Sequence, residues 1–247
     1  MKKSLSFVLV LFFAVLLHAQ INLKDSVVKV NIIQVDLGIG LPLGNMAETF
    51  GVHQTVGGGY QFKNNKNFLI GFNGSYIFGS HVKDSSVNFL FTQGGSVIGT
   101  DGYLFSPILF EQGFDLKFQM GKITNILALN PNSGLAVLGG VGYLQHNILI
   151  YIDEAYVPQL NKEYRKGYDR LTNGIALNQY IGYYFFSNKN FVNFRAGFDI
   201  TEAFTKNRRY NFDTQSIDEE SKFDMLVTFK ATWNLCIFEK PQRKFYY

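Results

Sequence analysis

Apolar and polar residues alternate with a period of two along most of this chain. In 29–41, Ile33, Val35, Leu37, Ile39 and Leu41 stand opposite Gln34, Asp36, Gly38 and Gly40. In 68–79, Phe68, Ile70, Phe72, Tyr76 and Phe78 oppose Gly71, Asn73, Ser75 and Gly79. In 108–121, Ile108, Phe110, Phe114, Leu116, Phe118 and Met120 oppose Glu111, Gly113, Asp115, Lys117 and Gln119. The same pattern fills 192–201 and 224–238, where Arg195, Asp199 and Lys230 fall on the polar face. Successive side chains of a strand point to opposite faces, so this pattern predicts strands with one apolar face. Three weaker segments, 55–63, 135–153 and 174–187, complete a set of eight. Short connections at 63–67, around 130–134 and at 187–190 alternate with long ones at 42–54, 80–103, 154–173 and 207–223. Short turns on one rim and long loops on the other predict an up-and-down meander.

The content of the polar face decides between a soluble and a membrane sheet. A soluble barrel keeps its apolar residues inside, but here the polar face carries Asp36, Glu111, Asp115, Lys117, Arg195, Asp199 and Lys230. Apolar residues outside and polar ones inside is the pattern of a membrane barrel, and most of the strands are long enough to span. Backbone groups in lipid must all be paired, so the sheet has to close. The expected fold is all-β: a closed antiparallel up-and-down transmembrane barrel of eight strands. Gln112 and Gln179 fall on the lipid face and strain a perfect register.

Composition agrees. Of 247 residues, 16% are aromatic and 17% charged, with 24 Gly and 5 Pro; mean hydropathy is +0.01. Aromatic content this high argues against disorder. The net charge of +4 includes Lys2 and Lys3, and the remainder is too nearly neutral to suggest nucleic acid as a partner. Residues 1–19 have the basic start, apolar core and small-residue end of a cleaved export signal. Residues 20–28 are then expected to form a periplasmic segment, 29–238 the barrel and 239–247 a periplasmic tail. The single cysteine, Cys236, permits no intramolecular disulfide.

The chain resembles the small eight-stranded outer-membrane barrels of Gram-negative bacteria, of the OmpA-like transmembrane-domain type. The resemblance covers 29–238 and rests on the export signal, strand count, loop asymmetry and face chemistry. Leu41-Pro42-Leu43-Gly44-Asn45 and Gly57-Gly58-Gly59-Tyr60 are similar to strings in that group. It implies an outer-membrane location, contact with outer-membrane lipid, short turns and both termini in the periplasm, and long loops outside.

Function is less legible. Eight strands enclose an interior that side chains fill, so the inward charges read as a structural plug of paired groups. Three cations face four carboxylates, which leaves one acid over. Arg195 and Asp199 are candidate mutual partners. His53, His81 and His146 are expected near the outer rim, solvated. Ser80 and His81 point to opposite faces, and no metal-binding or catalytic spacing occurs, so neither cofactor nor metal is expected. The second long loop is apolar at Val87, Phe89 and Phe91. In 158–170 a helix is expected with Tyr156, Leu160, Tyr164 and Tyr168 on one stripe, as a rim cap or a contact surface. These features predict a non-enzymatic barrel acting through its loops as an accessory, adhesion or assembly subunit, with a protein partner in an envelope complex. A small pore is the alternative, since Gly-rich strands leave room inside. A lipid acyl hydrolase or transferase built on His146 or His81 is the second alternative.

Overall fold

A computed structural model describes residues 26–83, 92, 95–153, 155–187, 192–212 and 215–238. The export-signal segment, the C-terminal tail, and Val87, Phe89 and Phe91 lie outside them. Eight antiparallel strands form one closed barrel: β1 (Val30–Gly44), β2 (His53–Lys63), β3 (Phe68–Gly79), β4 (Ile108–Ile123), β5 (Gly134–Tyr151), β6 (Thr172–Phe185), β7 (Phe194–Asn207) and β8 (Ser221–Phe238). Each strand pairs with its neighbours in sequence, and β1 closes on β8 from Val30↔Phe238 to Gly44↔Asp224. No backbone edge is left open, as a sheet in lipid requires. No described helix is long and apolar enough to cross a membrane; the strands make the crossing.

The strand parity is the one predicted. Leu37, Ile39, Phe72, Leu116, Ile175 and Phe204 are exposed on the outside, while Asp36, Asp115, Lys117, Arg195, Asp199 and Lys230 are buried inside. Gln112 and Gln179 do face outward, yet the ladder runs unbroken through them, from Gln112↔Asn147 to Gln179↔Gly139. A polar side chain on the lipid face therefore costs no register here. The last outward charges on β7, Glu202 and Lys206, lie toward the long-loop end, where charge on the outer face is cheap.

The connections differ from expectation in three places. The second short turn is a ten-residue link, 124–133, because β4 stops at Ile123 and β5 starts at Gly134. The second long loop holds a two-residue hairpin, Val97–Ile98 with Leu104–Phe105, which stays outside the barrel sheet. The predicted helix of 158–170 is broken into a 3-10 turn, Pro158–Leu160, and α2 (Lys162–Arg165). Asn161 stands between them in extended conformation and accepts from the amides of Glu163 and Tyr164. Its capping starts a new helix and so ends the old one. A four-residue helix, α1 (Met46–Thr49), fills the first long loop.

Candidate functional site

Inside the barrel three layers are stacked along the axis. At the short-turn end Val30, Ile32, Leu69, Ala136, Leu138, Tyr180, Tyr184 and Phe186 form an apolar layer. Beneath it Asn132 accepts from the Lys63 ammonium (2.8 Å) and donates to the Ser26 carbonyl (2.9 Å). At the long-loop end Ile77, Leu144, Ile148, Ala176, Ala203 and Leu226 point inward and meet Met46, Phe50, Val157, Leu160 and Tyr168 from the loops. Arg165 staples this cap, donating to the carbonyls of Ile150 (3.0 Å) and Ile152 (3.2 Å).

Between the apolar layers sits the charge network. Lys117 Nζ lies 2.5 Å from Asp115 and 2.8 Å from Asp199. Lys230 Nζ lies 2.7 Å from the same Asp199 oxygen and donates to Ser75 Oγ at 2.9 Å. Arg195 reaches Asp36 at 3.5 Å, donates to Thr232 (3.0 Å) and Tyr184 (2.7 Å), and stacks over the Tyr180 ring at 4.8 Å. Asp36 also accepts from Thr232 and Asn73. Asp199 accepts from Asn178, and Asp115 from the Ser75 amide. Three cations are thus matched by three aspartates, with neutral hydrogen-bond partners filling the remaining positions. Such pairing is what makes buried charge tolerable. Arg195 and Asp199 are not mutual partners: four residues apart on one strand face, they sit about 13 Å apart along it.

The acid left over by the charge count is Glu111. It is fully buried 3.8 Å from His53, and neither side chain has a hydrogen bond. His53 is therefore not a solvated rim residue. His146 is buried too: its Nε2 lies 3.0 Å from Asp224, which also accepts from Thr205 at 2.5 Å. Among the described histidines only His81 is exposed. His53, His146 and Asp224 stand on inward positions of β2, β5 and β8; the sequence reading left the two histidines at a solvated rim because the cap of Met46 and Phe50 that closes this end comes from a loop. No described serine or cysteine is hydrogen-bonded to His146, and the neighbouring hydroxyl of Thr172 donates to the Arg170 carbonyl. Among the described residues no three His, Cys, Asp or Glu side chains gather as a metal site.

The glycines of β2 and β5 make room for this network, not for a channel. Gly142 pairs with Lys117 and Gly140 with Gln119. A Cβ on Gly142 would meet the Leu116 carbonyl at 2.5 Å and Lys117 Cβ at 3.1 Å. Gly57 and Gly59 likewise lie against Ser75 and Asn73.

The predicted stripe in the third long loop is split. Leu160 and Tyr168 are buried in the cap, whereas Tyr156 and Tyr164 are exposed. Tyr156 stacks on Phe105 of the second loop at 5.2 Å. Phe212 of the fourth loop contacts Tyr164 at 6.1 Å and Tyr168 at 5.3 Å. Nearby, Arg209 binds Asp169; burial still holds the Asp169 carboxyl above its usual range, with Arg209 opposing. Lys222, 2.6 Å away, lowers that of Asp218. Tyr103, Leu104, Ile98 and Tyr210 add exposed surface to the same end.

No family model matches the chain, and no curated protein does. Among solved structures, Neisserial surface protein A is 10% identical, covering 83% of this chain and 96% of its own, with a TM-score of 0.43. Ail, the attachment invasion locus protein of Yersinia pestis, is 8% identical over 84% of this chain and 98% of its own, TM-score 0.42. The N-terminal β-barrel domain of Pseudomonas aeruginosa OprF is 9% identical over 82% and 97%, TM-score 0.30. At these values the likenesses lend nothing to a reading of function. The closed eight-stranded barrel with an apolar exterior is the architecture of the small outer-membrane barrels that the sequence resembles.

Proposed function

We propose that the protein is a non-enzymatic integral outer-membrane barrel that works through its long loops, as an accessory, adhesion or assembly subunit of a larger envelope complex. One observation carries this reading. The interior is packed along its length, while Tyr103, Leu104, Tyr156 and Tyr164 stand exposed on loops held by a rigid barrel. Loops on a stable scaffold are the usual place for recognition, and tyrosine is favoured in contact surfaces. A packed interior weighs against the pore, and a histidine without a nucleophile against the lipid-modifying enzyme.

The test is tagged extraction from native membranes in mild detergent. A defined partner should be recovered with the wild type and lost with Tyr103→Ser plus Tyr164→Ser, while the barrel remains folded. Recovery of the wild type as a lone monomer in several detergents would sink the proposal.

A further inference from the structure

The three short connections differ in chemistry. The first reads Asn64-Asn65-Lys66-Asn67 and is polar, and the third, 186–193, mixes Phe186, Phe191 and Val192 with Ser187, Asn188, Lys189, Asn190 and Asn193. The second reads Thr124-Asn125-Ile126-Leu127-Ala128-Leu129-Asn130. Its second half turns inward, where Asn132 closes the barrel mouth. Its first half turns outward: Ile126 is 56% exposed, Leu127 76% and Leu129 73%. These leucines exceed every other large apolar side chain in exposure among the described residues.

The segment is held in this position. Tyr183, on the outer face of β6, donates to the Leu127 carbonyl at 2.9 Å, and the Leu135 amide to the Ile126 carbonyl at 3.1 Å. Leu135 and Tyr183 are register partners, and the next outward pair is Val137 with Ile181. The three aliphatic side chains therefore continue the apolar outer surface of the barrel at its rim. Leu127 has φ +57°, a conformation in which glycine or asparagine is usual and a bulky residue is an outlier.

Charge supplies a second observation. The described residues of this rim, 26–31, 62–69, 121–136, 183–187, 192–194 and 234–238, include Lys29, Lys63, Lys66 and Lys122 but no Asp or Glu, although Asp25 and Glu239 adjoin them in sequence. Lys66 and Lys122 line a cleft of about 550 Å³ with Val27, Asn67, Thr124 and Pro131, next to the apolar segment. Both lysines are exposed. Lysine beside an apolar surface lays its stem on the apolar side and its ammonium at headgroup level. Aliphatic residues at the acyl boundary with lysines at the headgroups is the recognition chemistry of an anionic lipid surface.

We propose that the 124–130 segment and its lysine cleft bind anionic phospholipid in the leaflet on the short-turn side. Ile126, Leu127 and Leu129 enter the acyl boundary, and Lys66 and Lys122 hold the phosphate. This fixes the depth of the barrel in the membrane. The proposal rests on the membrane reading of the barrel but not on any loop partner.

The test uses Leu127→Trp in a Trp233→Phe background, folded into vesicles of equal phosphatidylcholine and phosphatidylglycerol, with one or the other carrying brominated acyl chains. The indole should emit as an apolar-site tryptophan and be quenched more by brominated phosphatidylglycerol. Each lysine at such a surface enriches anionic lipid by roughly fivefold at most, and Lys66→Gln with Lys122→Gln should bring the two quenchers to parity. Leu129→Trp serves as a second position should Leu127→Trp not fold. An unquenched, water-like emission at both positions would overturn the proposal, and equal quenching with both lysines intact would overturn the anionic preference. Dilution-sensitive crosslinking of Leu127→Cys between copies, in a Cys236→Ser background, would assign the surface to self-association instead. Trp233, on the outer face of β8, is the control in the otherwise native chain. Its quenching reports membrane insertion of the barrel, so failure of the rim site is told apart from failure of the membrane reading.

Discussion

Arg195 shows how one residue is held in a barrel interior. Asp36, Thr232, Arg195 and Tyr184 are register partners across four consecutive strands, β1, β8, β7 and β6. Each is hydrogen-bonded to the next along this row. Arg195→Ala leaves Asp36 buried without its cation, a loss that typically costs about 3–5 kcal/mol. The double change Arg195→Leu with Asp36→Leu should recover much of it, because replacing both members of a buried pair by apolar groups is often neutral. Arg195→Leu with Asp199→Leu should show no such recovery, since Asp199 answers to Lys117 and Lys230. Urea midpoints of the folded barrel in micelles measure all three. Equal loss in both double variants would show that the Arg195–Asp36 contact carries no coupling. The pair His53 and Glu111 makes the opposite case. All four of their buried polar side-chain atoms lack a hydrogen-bond partner. His53→Leu with Glu111→Leu is therefore expected to be neutral or stabilising by the same measurement; a loss above about 2 kcal/mol would mean that the pair is satisfied after all.

At the scale of elements, strand parity was legible in the sequence and partner choice was not. Alternation put Asp36, Arg195 and Lys230 inside, because a period of two follows from strand geometry alone. It could not say that Arg195 meets Asp36, since that depends on the registers of β1, β8 and β7 together. The loops were harder still. Spacing by four placed Tyr156, Leu160, Tyr164 and Tyr168 on one stripe, but the cap at Asn161 divides the segment, and burial divides the stripe. The link 124–133 was read as a short turn around 130–134 because only its Asn, Pro, Ser and Gly residues carry a turn signal, and its aliphatic half carries none. Two substitutions in one loop should separate the cap from the surface. Leu160→Ala removes a fully buried side chain and should cost about 2–5 kcal/mol. Tyr164→Ser, on the exposed side, should stay within about 0.5 kcal/mol. Thermal shift of the gel-mobility transition reads both, and similar losses would mean that the two residues share one environment. In β5, Gly142→Val would drive a side chain into the Leu116 carbonyl and the base of Lys117. That variant should fail to reach the compact, heat-modifiable form.

For the whole molecule, the order of the layers determines whether the barrel conducts. An ion entering from the long-loop end meets Met46, Phe50, Leu160 and Tyr168 first. Past these it reaches a network whose aspartates are already matched by Lys117, Lys230 and Arg195. Beyond lie Tyr180, Tyr184 and Phe186, then Asn132 with Lys63. Each layer closes the interior for a different reason: the cap by apolar packing, the network by paired charge, the last by aromatic bulk and a folded turn. An eight-stranded barrel is just wide enough for side chains to fill, so opening one layer leaves two. The wild type in planar bilayers is expected to give no stable unitary currents even at high protein load. Replacing 155–168 by a short Gly-Ser linker removes Val157, Leu160 and Tyr168 but leaves the two lower layers, and this variant should stay silent as well. Adding Tyr184→Ala removes the hydroxyl that Arg195 donates to and the ring that fills the lower layer. The paired layer of Lys117, Lys230 and Asp199 still closes the middle, so currents should first appear only when Lys117→Ser and Asp199→Ser are added as well. Steady conductance in the wild type would show a continuous water path through the network and would restore the pore as the function.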